Sequence, residues 1–373
     1  QVKKADKTLT GQKREERKNE TTMVYELRKR KIEATAMDPP VKARNRQVKK
    51  ASQSAVKAWL GKIKISDLPK RLVGGRVISI TPQDMLANAY QIMSDNHILA
   101  IPVCDHDEPT NTFIDVLDIM AEVLKLATTF TTNLDGEAGA EELALFSEPI
   151  LGALKVQQAA GVSGRDPWVP VMPDITALEA AEHLCHRDVH RLPVVDDNKV
   201  VGLITQTDLC IFFLEHLENL GDKANLKVKN MTLTRKGPPV TVRETDTTVS
   251  AFRKLVDEGV SFAAVVNARG SVVEAFSATD LKPWNQFLVQ DFPLRFTDLS
   301  GLAKPVGEFM EARRNESRQP RRRVLTCTGD STIRDLLTTF VHHHVHHVAV
   351  VNEKDHTATG VVSLRDILAN VLA

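Results

Sequence analysis

Three acids stand at one fixed distance from a hydroxyl: Asp208 three residues after Thr205, Asp280 three after Ser277 and Asp366 three after Ser363. Ser or Thr followed three residues later by an acid, just before an apolar run, is the pattern of a helix capping box. The hydroxyl accepts from a backbone N–H and the acid bonds back to the cap. Such a carboxylate still has lone pairs to offer the hydroxyl donors of a ligand, and the N-terminus of the helix behind it attracts phosphate. Capping and ligand binding are compatible, and both readings stay open here. The residue before each acid is Thr207, Thr279 or Arg365.

A phosphate needs cations or donors. His190 and Arg191 lead the apolar run ahead of Asp208, and His346 and His347 hold the matching places ahead of Asp366. Ahead of Asp280 those places fall to Ser261, which can donate a hydroxyl, and Phe262. An earlier version of the pattern has Leu99 and Ala100, followed by Asp118-Ile119-Met120-Ala121. Asp118 can cap a helix, but Ala121 replaces the acid, so this site is expected to be empty. His347, standing where an Arg would always be charged, is expected to strengthen phosphate binding below neutral pH. The run His342-His343-His344-Val345-His346-His347 invites a metal reading. Consecutive residues at a helix-to-strand junction diverge, so no metal site is expected.

These residues are positioned by a repeated unit. Val189 to Asp208 reads as strand, turn, strand and the start of a helix, and Val260 to Asp280 and Val345 to Asp366 keep that order. His190 to Asp208 spans 18 positions, Ser261 to Asp280 spans 19 and His346 to Asp366 spans 20. A further amphipathic helix and a short strand precede each, giving β-α-β-β-α units repeated roughly every 70 to 90 residues. A unit this small leaves an apolar helix face uncovered and must pair. Halves of residues 60–220 and 225–373, each holding one pair, are the expected folding units.

Composition bounds the rest. The chain has 373 residues and a net charge of +1, but residues 1–60 hold 17 Lys or Arg against 7 Asp or Glu, so a basic arm precedes a mildly acidic body. Such an arm is poor in large apolar residues and would need an acidic partner surface to order it; nucleic acid is disfavoured because the arm does not interleave aromatics with charge as single-strand binders do. Cys104, Cys185, Cys210 and Cys327 lie far apart with no CxxC spacing, as expected of reduced, buried thiols. No apolar run reaches membrane-spanning length, and no signal-peptide core is present. The glycine and nucleophile motifs of common enzymes are missing as well, so no enzyme activity is expected.

VHRLPVVD (Val189 to Asp196), VVSLRDIL (Val361 to Leu368) and SGRDPWVPV (Ser163 to Val171) resemble tandem cystathionine beta-synthase (CBS) domains. The four-copy layout is similar to the gamma subunit of AMP-activated protein kinase and its plant counterparts, over about residues 60–373. The resemblance implies an α+β fold with two CBS pairs in a pseudo-symmetric disc, plus the basic N-terminal arm. Its expected division is an arm at 1–56, copies at 57–131, 166–221, 222–290 and 323–373, a helical linker at 132–165 and a basic connector at 291–322. That connector region holds arginines at 313, 314, 318, 321, 322 and 323, read as a solvated loop.

By the same resemblance AMP, ADP or ATP would bind in clefts between copies, phosphates toward the centre, with no further cofactor. Asp208, Asp280 and Asp366 would take the ribose hydroxyls, assisted by Thr205, Thr207, Ser277, Thr279, Ser363 and Arg365. His190, Arg191, His346, His347 and Ser261 would face the phosphates, and Thr245 completes the nucleotide-binding set. The implied role is a regulatory subunit that modulates a partner, a kinase catalytic or scaffold subunit being favoured, in the cytoplasm, with nuclear or cytoskeleton-associated placement as alternatives. The alternative is an architectural subunit of a large cytoskeletal or ciliary assembly, with the disc as platform and the arm as anchor.

Overall fold

The computed structural model describes residues 55–69, 77–96, 98–105, 108–130, 153–186, 189–281, 304–316 and 324–373. Most of the basic arm, the Gly- and acid-rich part of the linker, the end of the third copy and Arg318, Arg321, Arg322 and Arg323 lie outside the described residues.

Every copy is built on an antiparallel hairpin. The hairpins are β1 (Ala100–Asp105) with β2 (Glu108–Asp115), β3 (Arg191–Asp196) with β4 (Lys199–Thr205), β6 (Phe262–Val266) with β7 (Val272–Ser277), and β9 (His347–Val351) with β10 (Ala358–Ser363). In the second copy the hairpin closes on Asp197 and Asn198, both at positive φ, the two-residue turn that matches strand twist. A short strand lies parallel to each hairpin. It is β5 (Thr241–Arg243) in the third copy and β8 (Thr326–Cys327) in the fourth, and shrinks to the single bridges Ile80 with Val103 and Val171 with Val194 in the first two.

Ahead of each hairpin runs a helix: α2 (Leu86–Asp95), α5 (Ala177–His186), α7 (Thr248–Asp257) and α9 (Ile333–His343). After it come α3 (Val116–Phe130), α6 (Gln206–Glu215), a 3-10 turn over Ala278–Leu281, and α10 (Leu364–Leu372). The short helices α1 (Ala55–Leu60) and α4 (Val156–Ala159) and the longer α8 (Val306–Glu316) belong to the segments that lead into the first, second and fourth copies.

These lead-ins are exchanged within each pair. The first N–H of a helix has no intrahelical partner. At α2 it is satisfied by Leu154 O (2.7 Å), at α5 by Ile63 O (2.7 Å), at α7 by Lys304 O (2.9 Å) and at α9 by Leu226 O (3.0 Å). The segment before the first copy therefore docks on the second, and the segment between them docks back on the first. The third and fourth copies repeat the arrangement. Residues 57–68, expected within the first copy, thus build the second, and Val156 and Ala159, expected within a linker, complete the first.

The apolar helix faces close in the other direction. On α10 Leu364, Ile367, Leu368, Val371 and Leu372 are buried, the spacing of one helical face. They share a core with Leu184 of α5, Phe213 of α6 and Leu337 of α9, so the second copy packs on the fourth. A second core joins Ile119 and Met120 of α3 to Phe252 of α7 and Phe276, so the first packs on the third. Sheets meet within the pairs: Phe113 stands 4.9 Å from Trp168, and Phe262 stacks on His347 at 5.4 Å. The expectation that each half closes its own helix faces is corrected: those faces meet across the halves.

Candidate functional site

Strand pairing puts the candidate residues in register. Ala100 faces Asp115, Arg191 faces Thr205, Phe262 faces Ser277 and His347 faces Ser363. One further backbone bond recurs beside each pair: Val116 N–H to Leu99 O (3.0 Å), Gln206 to His190 (3.1 Å), Ala278 to Ser261 (2.9 Å) and Leu364 to His346 (3.2 Å). His190, Ser261 and His346 are therefore equivalent, as are Arg191, Phe262 and His347.

The same register corrects the first copy. Its cap is Asp115, whose Oδ1 accepts from Leu117 N–H (2.7 Å) and Asp118 N–H (2.8 Å), and Asp115 N–H donates to Asp118 Oδ2 (2.9 Å). Asp118 is thus the counterpart of Asp208, and Ala121 lies a turn further on. The first copy keeps its acid.

All four acids bond back to the residue at the start of the following helical turn. Thr205 N–H and Oγ1 donate to Asp208 Oδ2 at 2.8 and 2.6 Å, and Ser363 does the same to Asp366 Oδ2 at 2.7 and 2.6 Å. Ser277 N–H reaches Asp280 Oδ2 at 2.6 Å, and its Oγ pairs with Thr279 Oγ1 at 2.6 Å. What separates the copies is the second oxygen. Asp118 Oδ1 accepts from Ser163 N–H (2.7 Å), and Gly161 N–H adds 3.3 Å to Oδ2, a reach made possible by the positive φ of Gly161 and Gly164. Asp366 Oδ1 accepts both Thr234 N–H (2.6 Å) and Thr234 Oγ1 (2.8 Å). Among the described residues Asp208 Oδ1 accepts nothing. Burial pushes the Asp208 carboxyl up to about 6, against the lowering effect of its bonds from Thr205. Burial, then the neighbouring Asp115, raises Asp118 to about 7.

The bases converge from two copies. Asp166, at φ 50 in the loop ahead of the second copy, takes His190 N–H at 2.5 Å and His190 Nδ1 at 2.7 Å on Oδ1, and Arg191 at 3.2 Å on Oδ2. Arg165 lies 3.2 Å from His190 Nε2. A guanidinium only donates, so Nε2 accepts and the ring proton sits on Nδ1, bonded to Asp166. Burial opposes ionisation of Asp166, but Arg191 and His190 outweigh it and hold the carboxyl well below its ordinary range. Arg191 lies 5.8 Å over the Phe113 ring, and its Nε is buried with no hydrogen-bond partner among the described residues. His347 from the fourth copy faces the same cluster: burial, then the basic neighbours His346, His190 and Arg165, push its pKa well below 6.5. That direction runs against the charging expected of His347 just below neutral pH.

Three other candidates sit differently. Thr245 is exposed in the turn after β5, at the end of the sheet away from Ser277, so it does not join Asp280. Arg365 Nε donates to Cys185 O (2.9 Å) at the last turn of α5, binding copy to copy. The histidine run is divided, His342 and His343 ending α9 while His344 takes the left-handed cap. Sequence reasoning missed Arg165 and Asp166 as functional; two glycines and an Asp-Pro step in GVSGRDP were the available signal.

The CBS domain family model matches residues 164–215 and 319–373, which are the second and fourth copies. The chain carries CBS domains. It resembles the gamma-3 subunit of 5'-AMP-activated protein kinase from Sus scrofa, 28% identical over 207 residues, covering 54% of this chain and 37% of that one. Protein SDS23 of Yarrowia lipolytica is 24% identical over 220 residues, 56% of this chain and 42% of that protein. The match spans less than half the length of either relative. Among solved structures, protein MJ1225 of Methanocaldococcus jannaschii, described as an archaeal homolog of the same gamma subunit, has a TM-score of 0.57 at 16% identity, covering 79% of this chain and 96% of that one. That likeness shows a shared fold. The first and third copies, outside the family match, carry the same hairpin register. No helix among the described residues is long and apolar enough to cross a membrane.

Proposed function

We propose that this chain is a non-catalytic regulatory subunit that binds an adenine nucleotide and modulates a protein partner. The observation that carries the reading is Asp208: a half-buried carboxylate at a helix N-terminus, one oxygen fixed by Thr205 and the other without a donor among the described residues, beside His190 and the strand that begins with Arg191. A ribose diol supplies the missing donors, and the cationic cluster faces the phosphate. Arg165 and Arg191 are held by His190 and Asp166 until an anion competes for them. Asp166 belongs to the loop whose Gly161 and Ser163 grip Asp118, so displacing it would transmit ligand binding to the first copy.

Resemblance to the AMP-activated kinase gamma subunit makes a kinase catalytic or scaffold subunit the favoured partner. The basic arm suits an acidic surface on that partner. The architectural reading draws on a different fact: two of the four acids spend their second oxygen on the chain's own backbone, as expected of a body kept for shape. Affinity capture with the intact chain and with residues 1–56 deleted decides between them. A kinase subunit retained by the intact chain supports the regulatory reading. Cytoskeletal protein alone, lost on deleting the arm, overturns it.

A further inference from the structure

The fourth copy's acid is covered by a strap. Residues 231–235 run over α10 with Thr234 exposed on its outer side and its inner bonds on buried side chains. Asp366 is 2% exposed and Asn370, one turn along, is 5% exposed. Asn370 Oδ1 accepts from Thr232 N–H and its Nδ2 donates to Thr232 O, both at 2.9 Å, while Asp366 Oδ1 takes both donors of Thr234. Two side chains four residues apart on one helix face thus hold residues 232–234 by four hydrogen bonds, three to backbone and one to the Thr234 hydroxyl. Met231 and Leu233 pack on the core shared by the second and fourth copies, so the strap is anchored by apolar contact as well.

We propose that Thr234 and Asn370 decide which copies take ligand: the strap occupies the Asp366 oxygen that a ribose would need and leaves Asp208 as the acceptor. This rests on the nucleotide-binding reading above. Thr234 presents an N–H and a hydroxyl to a single oxygen whose partner oxygen is already bound by Ser363, so an incoming diol finds no unoccupied acceptor on Asp366. Arg235, paired with Glu258 at 2.9 Å on the surface, continues the strap toward the third copy.

The test uses the full chain and AMP. Asn370→Ala and Thr234→Val loosen the strap and keep the acid, and calorimetry should show one more AMP bound per chain in at least one of them than in the unmodified protein. Failure of both variants to gain a site, or a loss of AMP affinity on Asp366→Asn in the unmodified background, overturns the proposal. Amide exchange without ligand separates it from the nucleotide reading. If no AMP binds at all, slow exchange at Thr232 and Thr234 that is lost in Asn370→Ala still upholds the closed strap, whereas exchange at open-loop rates sinks it.

Discussion

A carboxyl raised by burial to about 6 makes Asp208 a titrating acceptor. Ionised, it takes two hydroxyl donors; protonated, it loses an acceptor. Ligand affinity through Asp208 should therefore fall as pH drops through that value. Burial and its basic neighbours push the pKa of His347 down, the direction that removes a competing rise from histidine charging. Adenosine, which lacks an ionisable phosphate, isolates the effect: its affinity should weaken several-fold between about pH 7.5 and 5.5, following the proton linkage of a single group. A rise on acidification would show that histidine charging dominates instead. The acids of the second to fourth copies were legible in the sequence because a hydroxyl stands three residues before each. The first was not, since Asp115 replaces the hydroxyl there. Spacing held the better clue: Leu99 to Asp118 spans 19 positions, inside the 18 to 20 of the other copies.

Helices and strands followed the apolar periods, which is why the β-α-β-β-α order could be read directly. The exchange of lead-ins could not, because it runs through backbone carbonyls such as Leu154 O and Ile63 O that carry no side-chain signature. One residue makes the exchange measurable. Leu60 lies ahead of the first copy in sequence, yet it is fully buried in the core of the second and fourth. Leu60→Ala should destabilise the protein by about 2–5 kcal/mol, the range for truncating a buried leucine. Amide exchange should speed up in α5, α6 and α10 and stay unchanged in α2 and α3. The opposite distribution would mean that α1 serves the copy it precedes.

Contacts among the four copies form a closed circuit: first to second through sheets and lead-ins, second to fourth through helices, fourth to third through sheets and lead-ins, third to first through helices. Cutting between residues 225 and 226 leaves both exchanges intact and opens both helix cores. Each half alone should therefore self-associate or aggregate through an exposed apolar face, and the two co-expressed should purify as a one-to-one complex by light scattering. Stable monomeric halves would contradict the circuit. The central claim is that a nucleotide is held by Asp208 beside the Arg165, His190 and Arg191 cluster, and calorimetric titration of the full chain with AMP, before and after Asp208→Ala, tests it most directly. Losing a hydrogen bond to a charged group costs about 1.5–3 kcal/mol, so the variant should bind about 10- to 100-fold more weakly while unfolding as cooperatively as the original. Equal affinity in the two proteins, or no binding to a well-folded original below millimolar AMP, would contradict the account.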